Sequence, residues 1–123
     1  MTTTTYGDAT VLIVGEVGGA LSTPEDATAL LEQAFAENAT VVAVPAARFD
    51  GLFFDLSTGL AAEFLQPFAT YRVALAVVGD LTDEITRSAA LSAFVVESNA
   101  GADVWFVPEI ASLESLVDRL DPR

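Results

Sequence analysis

Hydrophobic and polar positions change period several times along the chain. Residues 40–44, 72–78 and 103–107 carry apolar runs with no polar alternation, Val41-Val42-Ala43-Val44 among them. Such runs mark strands covered on both faces. Between them the spacing lengthens to i, i+3, i+4, at Ala27, Leu30, Leu31, Ala34 and Phe35, and again at Leu60, Ala61, Phe64, Leu65 and Phe68. Leu91, Phe94 and Val95 continue the pattern, and Leu113, Leu116, Val117 and Leu120 close it. Each set predicts a helix with one face laid on a sheet.

Turn chemistry supplies the boundaries. Thr2 to Thr5 with Tyr6, the turn Gly7-Asp8 and the β-branched run over residues 9–14 predict an opening hairpin. Ser22-Thr23-Pro24-Glu25 reads as a capping box with proline in the first turn, and Glu37-Asn38 as that helix's end. Leu52 to Phe54 is expected to be extended, with a second helix starting at Ser57 or Thr58 and stopping or kinking near Gln66, because Pro67 removes a hydrogen bond. Gly79-Asp80 ends a central strand, Thr82 or Ser88 caps a third helix, Asn99-Ala100-Gly101 stops it, and Ser112 leads the last. The order ββαβαβαβα predicts one α/β domain over residues 1–123: a mixed, mostly parallel sheet flanked by helices, doubly wound.

Composition narrows the chemistry. The 123 residues are 52% hydrophobic with eight Phe, enough for one packed core. The absence of Cys and His excludes disulfides, thiolate metal sites and cysteine nucleophiles, and removes the commonest general base. Net charge is −13, and all five bases are arginines, at 48, 72, 87, 119 and 123. That balance repels nucleic acid and anionic membrane surfaces, and primarily serves solubility. No apolar run approaches the roughly 18 residues of a membrane span, and the N-terminal residues have no signal-peptide pattern. A soluble, cytoplasmic protein is expected, and abundant Ala with Arg but no Lys suggests a high-GC bacterial or archaeal genome.

The densest polar chemistry falls at Phe53-Phe54-Asp55-Leu56-Ser57-Thr58-Gly59, a strand-to-helix junction, where unpaired N–H groups and the helix dipole favour negative charge. Ser57 and Thr58 read as N-caps, or alternatively as a phosphorylation switch that Asp55 would oppose. An extended Phe53-Phe54 would send its rings to opposite faces, leaving one to a partner. Asp80, Asp83 and Glu84 suit a helix start better than a metal, and Gly15, Gly18 and Gly19 lack the phosphate-loop spacing. Glu97 and Asn99 read as a helix end, or as a carboxylate and amide for a small polar ligand.

Through this junction, and through Leu60-Ala61, Glu63, Gln66, Tyr71-Arg72-Val73, Val78-Gly79-Asp80 and Glu97-Ser98-Asn99, the chain resembles a prokaryotic family catalogued as domain of unknown function 4180. The family carries no established activity. Members often have a His-Glu pair after the second long strand and a basic residue between Leu and Thr of the junction, where this chain has Val44-Pro45 and Ser57. A weaker resemblance is to the STAS-like (anti-sigma-factor antagonist) domain, in element order and in an Asp-Ser-Ser-Gly-Leu junction. That resemblance implies a kinase target at the hydroxyl before glycine, here Thr58, although Leu56 is an extra residue between acid and hydroxyls.

These readings lead to the expectation of a small regulatory or protein-interaction module acting through Phe53, Phe54, Asp55, Ser57, Thr58 and Gly59. A protein partner is expected, with a homodimer as the simplest closed assembly. The alternative is a small-molecule binding protein, or an enzyme using carboxylates, with a pocket near Asp55, Arg72, Asp80 and Glu97, and with Asn99 beside it. No catalytic residue, metal or cofactor is assigned.

Overall fold

The computed structural model describes residues 2–21, 23–49 and 51–119. Five strands form one sheet: β1 (Thr2–Tyr6), β2 (Ala9–Ile13), β3 (Val41–Pro45), β4 (Ala74–Val78) and β5 (Val104–Val107). Their spatial order follows the chain, β1-β2-β3-β4-β5. β1 pairs antiparallel with β2, and the other three pairings are parallel. The three apolar runs are therefore adjacent strands, and Val41–Val44, Ala74–Val77 and Trp105–Val107 are buried.

Because strand order equals chain order, crossovers of one hand lay every connecting helix on the same face. The sheet is thus singly wound. α1 (Pro24–Ala36), α2 (Leu60–Tyr71), α3 (Thr82–Arg87) and α4 (Ala89–Asn99) follow in chain order. Leu30 and Leu31 of α1, Phe64 and Phe68 of α2, Leu81 just before α3, and Phe94 and Val95 of α4 share a core with Leu12, Val42, Val44, Leu75, Val77 and Phe106. The residues between these on each strand point the other way. Val11, Val41, Ala43, Ala74, Ala76, Trp105 and Val107 build a second core, closed by Leu113 and Val117.

Several boundaries differ from the sequence expectation. The capping box of α1 lies one residue later: Thr23 Oγ1 accepts from Asp26 N–H, and Asp26 accepts from Thr23 N–H. Ser22 lies outside the described residues. Phe35 ends the apolar stripe half-exposed, edge-on to Tyr71. Leu52 to Phe54 is not extended, since Gly51–Phe54 form a 3-10 turn and Leu56–Thr58 another. α2 starts at Leu60 and continues through Pro67 to Tyr71, because the Phe64 and Phe68 stripe outweighs one missing hydrogen bond. The third helix is divided at Ser88, whose hydroxyl caps α4 by accepting from Leu91 N–H.

The predicted last helix is instead two 3-10 segments, Ile110–Ser115 and Val117–Arg119. Ile110, Leu113 and Leu116 recur every three residues, the period of a 3-10 turn, and all three join the second core. Leu120 lies outside the described residues.

Candidate functional site

The C-terminal ends of β2, β3 and β4 release their connections on one side of the sheet, the usual place for a site in an α/β fold. Residues 46–59 form the largest of these connections. Its base is aromatic: Phe49 stacks on Phe53 at 4.1 Å between ring centroids, and Phe64 of α2 meets both edge-on at 5.3 and 5.7 Å. Phe53 is accordingly buried, and Phe54 is half-buried against Phe49 and Phe53. The expected opposition of the two rings does not arise in a 3-10 turn, and Leu52, 56% exposed, is the apolar side chain the turn presents outward.

Above this base the polar groups bond locally. Asp55 Oδ1 accepts from Ser57 N–H at 3.1 Å and from the Ser57 hydroxyl at 2.6 Å. The hydroxyl and then the N–H hold the Asp55 carboxyl below its ordinary value of 3.8. Asp55 therefore caps the 3-10 turn Leu56–Thr58, and of the two residues expected to cap the helix, Ser57 instead donates to Asp55. The Thr58 hydroxyl lies 2.8 Å from Asp55 O and 3.1 Å from Leu52 O, and accepts from Leu60 N–H at 3.3 Å. Gly59 links turn to helix at φ 78°, a left-handed conformation that glycine adopts without strain. Asp55, Ser57 and Thr58 are all exposed.

The same device recurs after β4. Asp80 Oδ1 accepts from Thr82 N–H at 2.9 Å and from its hydroxyl at 2.5 Å, which again lower the carboxyl below 3.8. The repeated Asp-Leu-Ser/Thr of residues 55–57 and 80–82 was a visible signal of it. Between the two junctions lies a cleft of about 380 Å³ lined by Glu16, Pro45, Ala46, Phe54, Asp80 and Glu84, among others.

The four residues expected around one pocket are not brought together. Asp80 lines the cleft, but Arg72 caps the C-terminal end of α2 and precedes β4, which places it at the opposite end of that strand. Asp55 lies outside the cleft lining, and Glu97 is exposed on α4. Asn99 is engaged by β5, its carboxamide donating to Phe106 O at 3.1 Å and accepting from Phe106 N–H at 2.7 Å. Asp83 and Glu84 lie in the first turn of α3, which Asp80 precedes with its bonds to Thr82, and among the described residues no group of three or more acids converges as a metal site. None of the described helices is long and apolar enough to cross a membrane.

Arg48 was not singled out by its sequence context. Its Nη1 donates to Gly15 O at 2.8 Å and its Nε to Gly19 O at 3.1 Å, fastening the loop after β2 to the turn after β3. Gly18, at φ 150°, passes directly under the guanidinium, and a Cβ there would come within 2.5 Å of Nη2. The glycines were readable as turn residues, but their partner is about thirty residues away in sequence. No curated protein and no solved structure matches the chain significantly. The profile of the family described as Domain of unknown function (DUF4180) matches residues 6–117, and the chain belongs to that family.

Proposed function

We propose that the chain is a small cytoplasmic regulatory or protein-interaction module, STAS-like in its use of a strand-to-helix junction, which engages a protein partner through residues 52–59. One observation carries this reading: exposed Leu52 stands beside exposed Asp55, Ser57 and Thr58 on a turn fixed from below by stacked phenylalanines. A rigid mixed surface loses little conformational freedom on binding. The Thr58 hydroxyl is the regulatory element, since a phosphate would add about −1.5 to −2 charge beside Asp55.

The test is a pull-down from the source organism with wild type, Leu52→Asp, Thr58→Ser and Thr58→Asp, each verified by thermal melting. Wild type and Thr58→Ser should retain one partner, which Leu52→Asp and Thr58→Asp lose while folded. Identical captures by all four folded proteins would overturn the proposal. The cleft supports a second reading, a small cationic ligand held by Glu16, Asp80 and Glu84. Native mass spectrometry showing a bound small molecule, released in Asp80→Asn, would favour it.

A further inference from the structure

The two edges of the sheet are treated differently. Leu75 N–H bonds to Asp103 O and Gly79 N–H to Val107 O, so the odd-numbered residues of β5 face β4 and Phe106 faces outward. Asn99 occupies both outward groups of Phe106, leaving that edge closed at its centre. β1 is the other edge. Thr40 N–H bonds to Thr10 O and Val14 N–H to Ala43 O, so the even-numbered residues of β2 face β3 and Ala9, Val11 and Ile13 face β1. Their partners are Tyr6, Thr4 and Thr2. The backbone groups of Thr3 and Thr5 therefore point away from the sheet, both residues are exposed, and among the described residues no side chain caps them as Asn99 caps Phe106.

Proteins commonly guard such an edge with Lys, Pro, a bulge or an inward charge. Thr2–Tyr6 contains none of these and pairs with β2 without a bulge. We propose that a second copy of this chain pairs with the β1 edge, antiparallel about a two-fold axis through Thr4, joining two five-stranded sheets into one. Symmetry and register agree at that axis. Thr3 of one copy meets Thr5 of the other as a hydrogen-bonded pair, and the reverse pair is generated by the two-fold, so every outward group of the two residues finds a partner. Thr4 then faces Thr4 as a non-hydrogen-bonded pair. Tyr6 falls opposite Thr2 of the other copy, on the sheet face where half-buried Ile13 lies beside Thr2.

Charge does not oppose this occupant at the contact itself. Each copy carries −13, but residues 2–7 carry none, so the paired strands meet without like charges in contact. The remaining acids repel at longer range, and salt should therefore tighten the dimer, whereas it would loosen a contact made by a cationic partner.

Sedimentation of the full chain across the micromolar range, at low and high salt, should show a concentration-dependent dimer that is tighter at high salt. Thr3→Glu with Thr5→Glu sets like charges directly opposite and should weaken it by about tenfold or more, while Thr3→Glu with Thr5→Lys should restore it. Both double variants alter only exposed side chains, and melting curves verify their fold. Since the chain has no cysteine, Thr4→Cys should form an intermolecular disulfide on oxidation, and exposed Val17→Cys should not. A wild type that is monomeric under every condition, a dimer indifferent to the double-glutamate variant, or one loosened by salt would each overturn the proposal.

Discussion

Two aspartates show how a single carboxylate can define a boundary. Asp55 and Asp80 each accept an N–H and a hydroxyl from the residue two positions on, and each holds the first turn of the segment that follows. Their raised acidity follows from hydrogen bonds that only the ionised carboxyl accepts fully. A carboxyl whose value is depressed by folding contributes stability above its unfolded value, here 3.8, and loses that contribution as pH falls through its folded value. Carbon-detected titration should place both midpoints below 3.8, and Asp80→Asn should flatten the acid limb of the stability-versus-pH curve by lowering stability at neutrality while leaving it nearly unchanged in acid. A midpoint at or above 3.8 would mean that these turns are not held in solution.

Elements differ in how much of their cause lies within their own residues. β3 and β4 were legible because a strand buried on both faces has no polar residue to mislead, and their runs needed no knowledge of their neighbours. The turn at Phe53-Phe54 was not, since its shape depends on stacking against Phe49 and Phe64. The pocket proposed from Asp55, Arg72, Asp80 and Glu97 failed for a topological reason: Arg72 and Asp80 bracket one strand, which holds them at its two ends. α2 was legible in its stripe but not in its length. A proline inside a helix removes one bond and strains the preceding turn, yet burial of Phe64 and Phe68 holds the helix through it. Pro67→Ala should therefore raise stability, by about 1–3 kcal/mol in denaturant unfolding, without altering the helix ends. A loss of stability would show that the proline ring contributes packing that exceeds its backbone cost.

At the scale of the whole molecule, a singly wound sheet leaves one face without crossover helices, and this chain covers it with its C-terminal 3-10 turns. Short 3-10 segments have little stability of their own, so their position depends on the side chains they bury. Leu113 is fully buried and Val117 nearly so, over a face where Ala43, Ala74 and Ala76 leave room for the indole of Trp105. That indole is anchored by Nε1–H donating to Gly101 O at 2.9 Å. Leu113→Ala removes the central apolar contact of the cover, at a cost of about 2–5 kcal/mol for a buried leucine. The consequence should be local before it is global. With one tryptophan in the chain, emission reports on this face, and it should shift to longer wavelength at lower denaturant than the loss of helical circular dichroism. Phe68→Ala, on the helix side, should instead bring both transitions down together. Coincident transitions in Leu113→Ala would show that the two faces unfold as one unit and that the cover is as integral to the fold as the helices.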